Sequence, residues 1–134
     1  MIDQCKMIDF PKISDERGSL SVVESNQHVP FEIKRVFYMY NIVGGGERGA
    51  HAHKELHQVI VAISGSFDVT VDDGHDKKNF HMENPWQALH IPPMIWATES
   101  NFSGGAVCMV FASDHYDEAD YYRDYEDFLA AVQG

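Results

Sequence analysis

His51 and His53 stand two residues apart in the stretch 45–65, GGERGAHAHKELHQVIVAISG. Imidazole titrates near neutral pH, so it can both take and return a proton under ordinary conditions. In a β-strand, residues two apart point to the same face, so both rings can project into one cavity. Arg48 lies just ahead of the pair and Gln58 just after it. An arginine fork suits a carboxylate or phosphate bound in two places. A buried amide demands hydrogen-bond partners, so Gln58 is expected to bond a histidine or a ligand hydroxyl. Lys54 is either part of the site or a rim charge. Together these residue types point to proton transfer beside a bound anion.

Strands must position these groups. The apolar run Val59-Ile60-Val61-Ala62-Ile63, closed by Ser64-Gly65-Ser66, reads as a buried strand ending in a tight turn. Upstream, residues 7–10 form a short strand stopped at Pro11, residues 14–18 a turn, and Leu20 opens the next strand. Residues 31–40, FEIKRVFYMY, are rich in aromatic and β-branched types and read as a strand. Phe37 and Met39 share one face of it; Val36, Tyr38 and Tyr40 share the other. Phe67, Val69 and Val71 alternate with polar residues, and Asp73-Gly74 signals a hairpin into the polar strand 78–83. Short strands at 88–91, 96–98 and 106–112 follow. Residues 117–132 carry Tyr121, Tyr125, Phe128 and Leu129 at helical spacing and read as a helix, with the tyrosines docking it. Trp86 and Trp96 read as core. Many short strands with regular turn signals predict an all-β, antiparallel sandwich or barrel with a C-terminal helix. There is no linker or repeat, so residues 1–134 are expected to be one domain.

The chain carries 21 acidic against 10 basic residues, for a formal net charge of −11. A nucleic-acid binder needs a basic face, so that class is disfavoured. Residues 114–127 hold seven carboxylates and one arginine, a pattern usual for a solvated helix face. No apolar run is long enough to span a bilayer and the first residues lack a signal-peptide pattern, so the expectation is a cytoplasmic protein with no membrane partner. Cys5 and Cys108 are far apart and read as buried free thiols.

The glycine and histidine spacing resembles the small β-barrels called cupins. Their pattern of Gly, five residues, His-x-His, a carboxylate and a later Gly is matched by Gly45, His51, His53, Gln58 and Gly65, with glutamine where glutamate is usual. A second cupin segment, here Pro92 to Ala97, carries Ala97 where a third histidine belongs. Tight divalent sites want three or four imidazole, carboxylate or thiolate donors. The expectation is therefore no metal and no cofactor, with His51 and His53 as free acid/base groups. His57 and His90 are the alternative completion of a metal site.

A narrower resemblance is carried by Arg17-Gly18-x-Leu20, Pro30-Phe31-x-Ile33-Lys34-Arg35-Val36-Phe37-Tyr38, Arg48-Gly49-x-His51-Ala52-His53-Lys54-x-x-x-Gln58, Ile91-Pro92-Pro93-x-x-Trp96 and Asp120-Tyr121-Tyr122-Arg123-x-Tyr125-x-x-Phe128. These resemble the sugar nucleotide 3,4-ketoisomerases, over nearly the whole chain. The resemblance implies a cupin-type jelly-roll β-sandwich, a homodimer often with exchanged N-terminal strands, and a dTDP-linked 4-keto-6-deoxyhexose as substrate. It implies transfer of the carbonyl from C4 to C3 through an enediolate, in a route to 3-amino-3,6-dideoxyhexoses. On that reading His53 is the principal base and His51 a shuttle or sugar-orienting group, with the order open to reversal. Tyr38 is a candidate donor to the developing oxyanion, or a packed aromatic. Arg48 holds the diphosphate. Arg17 is a second phosphate contact, across a dimer, or a structural partner of Asp15 or Glu16. The rivals are a 3,5-epimerase of keto-deoxysugars, a metal-dependent cupin enzyme and a non-catalytic sugar-nucleotide-binding module.

Overall fold

A computed structural model describes residues 1–134. Its strands are β1 (Lys6–Asp9), β2 (Lys12–Asp15), β3 (Gly18–Ser21), β4 (Arg35–Met39), β5 (Arg48–His53), β6 (Gln58–Ser64), β7 (Phe67–Asp72), β8 (Lys77–Met82), β9 (Gln87–Ile91), β10 (Trp96–Ser100), β11 (Val107–Ala112) and β12 (Tyr121–Tyr122), followed by helix α1 (Tyr125–Gln133). Two five-stranded antiparallel sheets form the cupin-type sandwich, in orders β1-β9-β6-β11-β4 and β12-β5-β10-β7-β8; β2 and β3 make a separate ribbon.

The apolar pattern explains both layers. Ile60 and Ala62 of β6 face the sandwich interior with Phe67, Val69, Val71, Leu89, Ile91, Cys108 and Val110. Val59 and Val61, the alternate residues, pack on the outer side with Phe10, Val29, Phe31, Ala88 and Phe111. The strand is covered on both faces, so its sequence is a continuous apolar run rather than an alternation. The cover is the segment containing Val29 and Phe31. The strand expected over residues 31–40 therefore begins only at Arg35: the first part leaves the sheet plane to close the outer layer. Gly65 turns the chain out of β6 at φ +68°, where a Cβ would run into the Ala106 backbone. Both cysteines are buried and free.

The C-terminal helix is shorter than its periodicity suggests. Residues 117–124 are not α-helical; a turn of 3₁₀ helix at Glu118–Asp120 leads into β12, which pairs with β5. Asp124 then caps α1, its carboxylate accepting from the backbone N–H groups of Glu126 and Asp127. The acidic residues here are mostly exposed, and Asp117, Glu118, Asp120 and Asp124 in addition form caps and local bonds rather than one helix face. Phe128 is fully buried against Trp96, with ring centroids 5.8 Å apart, and docks the helix. The Tyr125 hydroxyl donates to Asp72 at 2.6 Å. No helix is long and apolar enough to cross a membrane.

His57 and His90 meet on the outer layer, rings stacked at 5.3 Å and nitrogens 3.1 Å apart, beside Phe31. One nitrogen must donate and the other accept, which requires at least one neutral ring. Burial lowers both pKa values, that of His90 to about 4. Both rings are thus neutral when folded and protonatable near the ordinary imidazole value when unfolded, so their contribution to stability is present above pH 6.5 and lost as pH falls toward about 4. Melting temperature measured from about pH 7 to about pH 5 is expected to drop less steeply in His90→Gln than in the parent; identical slopes would refute this assignment.

Candidate active site

The site is built on an irregularity in β5. Across from β10, His51 pairs with Ala97 but Arg48 pairs with Glu99, so β5 carries one extra residue over that interval. Gly49, at φ +84°, takes the extra step, as in a bulge with glycine in the left-handed conformation. Regular alternation would put residues 48 and 51 on opposite faces. The bulge turns Arg48 to the same side as His51, and both line one cavity. Gly49 has a second function: a Cβ there would fall on the Glu99 carboxylate.

The cavity, of about 310 Å³, opens between the sheets. Phe37 and Met39 of β4, Gln58 and Ile60 of β6 and Ile91 of β9 form one wall; Arg48, His51, Ala97 and Glu99 form the other, with Tyr121 and Arg123 at the rim. Ala97, directly opposite His51, keeps the space beside that ring free of a larger side chain.

The two imidazoles touch but are not equivalent. Their centroids are 5.0 Å apart, edge to face. His51 lines the cavity. His53 lies behind it, only 4% exposed, with Nδ1 3.0 Å from Oδ2 of Asp120. The expectation that both rings would open into the cavity is thus corrected: they share a side of β5, but Tyr121 lies over them and closes off His53. Tyr121 is the register partner of His53 across β12 and β5, which brings its ring to 4.4 Å from His53 and 5.0 Å from His51. Asp120 is itself fixed, accepting the Glu55 backbone N–H at Oδ1 while its carbonyl accepts that of Lys54. The end of β5 is pinned from the other side by Met94, which donates its backbone N–H to the His53 carbonyl at 2.8 Å. Met94 holds a left-handed conformation, φ 64°, that costs a residue with a Cβ about 1–2 kcal/mol.

Burial sets the charge states. It pushes the His51 pKa down to about 4, helped by its neighbours His53 and Arg123. Burial also lowers His53, against the opposing pull of Asp120. Both rings are therefore neutral bases at neutral pH. Glu99 moves the other way: burial raises its carboxyl to about 7, against the field of Arg48. Arg123 is bound to Glu118 through Nε at 2.6 Å and Nη2 at 2.9 Å, and stacks over Tyr121 at 4.2 Å. Arg48 has no such carboxylate contact, which leaves its fork open to an anionic ligand. The Gln58 side chain is 9% exposed and bonds no histidine, so of its two expected partners the ligand hydroxyl is the one its position allows.

Three residues singled out from sequence lie elsewhere. Tyr38 points out from β4, 56% exposed and stacked on Tyr40, while Phe37 and Met39 of the same strand face the cavity. An oxyanion donor there is corrected by the strand's own alternation. Arg17 sits on the β2–β3 ribbon, 86% exposed and held by Asp15 at 2.7 Å. Lys54 is exposed, its ammonium over the Tyr122 ring at 5.1 Å. Conversely, Glu99, Asp120, Tyr121 and Arg123 belong to the site and were not assigned to it from sequence. Glu99 was findable as a carboxylate on the inward alternation of Ala97; Asp120 and Tyr121 were masked by a helical periodicity that does not hold before residue 125. A cupin-type metal would meet the His51 and His53 imidazoles, the Gln58 amide and the Ala97 methyl. Two imidazoles with a neutral amide and a methyl group do not suit a tight divalent site.

A family model described as "FdtA: WxcM-like, C-terminal" matches residues 3–133. The chain belongs to this family. It is 46% identical over 123 residues to TDP-4-oxo-6-deoxy-alpha-D-glucose-3,4-oxoisomerase of Aneurinibacillus thermoaerophilus, a match covering 92% of this chain and 88% of that one. Among solved structures, it is similar to the 3,4-ketoisomerase QdtA of Thermoanaerobacterium thermosaccharolyticum, a histidine-to-asparagine variant in complex with TDP-4-keto-6-deoxyglucose, at TM-score 0.96 and 33% identity over 99% of this chain and 96% of that one. A 3,4-ketoisomerase from Helicobacter canadensis matches at TM-score 0.94 and 42% identity, covering 97% of this chain and 98% of that one. The jelly-roll architecture and family read from the sequence motifs both hold.

The Asp120 contact makes a prediction about the histidine behind the cavity. A carboxylate accepting from Nδ1–H leaves Nε2 as the free lone pair. Nitrogen-15 NMR of the parent near neutral pH is expected to show His53 as the neutral Nδ1–H tautomer, and Asp120→Asn is expected to remove that preference. A parent His53 protonated only at Nε2 would overturn the assignment.

Proposed function

We propose that this chain is a 3,4-ketoisomerase of a TDP-linked 4-keto-6-deoxyhexose. The observation that carries the reading is a neutral, cavity-facing imidazole, His51, on the same wall as an arginine free of carboxylate contacts, in a chain of this family. Arg48 binds the diphosphate as a bidentate donor. The apolar wall of Phe37, Met39, Ile60 and Ile91 receives the deoxyhexose, and Gln58 bonds one of its hydroxyls.

His51 removes the C3 proton as electrons move toward the C4 carbonyl oxygen, giving an enediolate, and the hydroxyl proton passes from O3 to O4. The imidazolium then returns a proton to C4 as the carbonyl forms at C3. The base assigned from sequence, His53, is replaced in this proposal by His51, because His51 is the ring that reaches the cavity. His53 orients it and receives its direction from Asp120. Two free buried thiols support a reducing, cytoplasmic setting.

Incubation with TDP-4-keto-6-deoxyglucose in deuterated water, followed by NMR, is expected to show transfer of the carbonyl from C4 to C3, with deuterium entering at C4 only to the extent that the imidazolium exchanges with solvent before it returns its proton. Label at C3 and C5 without transfer, or binding without turnover in the parent, would overturn the reading. His51→Asn is expected to lower kcat by about 10³-fold or more while TDP affinity by calorimetry changes little.

The assembly proposed is a homodimer. All eight residues of β2 and β3 are exposed in one chain, Ile13 and Leu20 among them, and an isolated ribbon is marginal in water. Packing against a second copy would cover it and carry Arg17 toward that copy. Sedimentation is expected to give a dimer that Ile13→Asp with Leu20→Asp dissociates; a monomeric parent at micromolar concentration would refute this.

A further inference from the structure

Glu99 is the least expected group in the sandwich interior. Its side chain is 8% exposed, on the inner face of β10, and it lines the cavity. No other residue hydrogen-bonds its carboxyl, and no cation makes an ion pair with it. The groups that face it are Arg48 and His51 from β5, Cys108 from the opposite sheet, and Tyr121 and Arg123 from the cavity rim; β7 presents only the apolar Phe67, Val69 and Val71. A packing role does not account for it, since an apolar side chain would fill the same volume without desolvating a carboxyl. Gly49 accommodates it by having no Cβ, so the bulge that aims Arg48 also makes room for this one acid.

Isomerisation needs more than a base on carbon. The C4 oxygen must gain a proton as the enediol forms, and the C3 oxygen must lose one as the new carbonyl appears. His51 carries the proton between C3 and C4 and is occupied with it at both moments. We propose that Glu99 is a second catalytic acid/base, which moves the proton between the two sugar oxygens. The inference rests on the isomerase reading above. Glu99 begins as the carboxylic acid. It donates its proton to O4 while His51 takes the proton from C3. The resulting carboxylate then takes the proton from O3 as the carbonyl forms there, and the imidazolium protonates C4. Glu99 ends protonated and His51 neutral, so the cycle closes with no other reactant.

The environment is consistent with this division. Burial drives the two groups in opposite directions, His51 down to about 4 and Glu99 up to about 7. A neutral base and a neutral acid therefore coexist near neutral pH, the condition that paired acid/base catalysis needs.

The test is steady-state turnover of TDP-4-keto-6-deoxyglucose by the parent, Glu99→Gln and Glu99→Asp across pH, with TDP affinity measured by calorimetry. The parent is expected to show a basic limb in kcat/KM near neutral pH, and Glu99→Gln to remove it, to lower kcat by about 10²-fold or more and to leave TDP affinity within about threefold. Glu99→Asp is expected to retain that limb with an intermediate kcat, which also serves where the glutamine variant fails to fold. An active parent with Glu99→Gln turning over within about threefold of it overturns this proposal alone. Equal losses of kcat and TDP affinity, or a Glu99→Asp profile without the limb, also overturn it. A parent without carbonyl transfer overturns the isomerase reading and this inference together.

Discussion

The seam between β5 and the two-residue strand β12 governs the rest of the site. It is a short pairing, Tyr121 with His53 and Tyr122 with Ala52, yet it closes an otherwise open sheet edge. Backbone bonds from Lys54 to Asp120 and from Met94 to His53 hold the end of β5 from both sides. Because residues opposite one another in an antiparallel pair share a face, the same pairing stacks Tyr121 on both imidazoles and brings Asp120 to His53. The cavity-facing ring of His51 is thus backed by a phenol and a second imidazole, and that imidazole by a carboxylate, all set by backbone geometry rather than by flexible side chains.

The charge balance follows from where groups are placed rather than from how many there are. An excess of acid over the whole chain would repel a nucleotide diphosphate at long range, but exposed charges beyond about 8–10 Å are largely screened at physiological salt. Close to the cavity the balance is reversed. Arg48 is free of carboxylate contacts, and Glu99, the one acid inside, is held toward its neutral form by burial. Glu118 offsets Arg123 at the rim and keeps it over Tyr121. The acidic run 114–127 is solvated, with only Asp120 partly buried, but it does not lie on one helix; it also supplies two caps, one clamp on Arg123 and the partner of His53.

The fold and family were legible because they rest on local signals. Alternation in β4 and β7, the continuous run in β6, the turn glycines and the motif around His51 are short-range patterns that survive in one dimension. Even the orientation of Tyr38 was present there, since Phe37 and Met39 share one face and Tyr38 the other; the alternation decides against it once the cavity is known to lie on the Phe37 side. The helix expected from residue 117 failed for the opposite reason. Tyr121, Tyr125, Phe128 and Leu129 do recur at helical spacing, but Tyr121 is satisfied by pairing with β5, a partner nearly seventy positions away.

What the sequence alone determined was the sandwich, its buried strands, the presence of two adjacent imidazoles and the arginine that accompanies them. Tertiary structure decided which imidazole meets the cavity, which aromatic and which carboxylates support it, and that Glu99 is buried among them. The physical reason is register. A single extra residue at Gly49 changes which side chains face inward, and pairing between strands distant in the chain sets what lies across from each one; neither follows from the periodicity of any one segment.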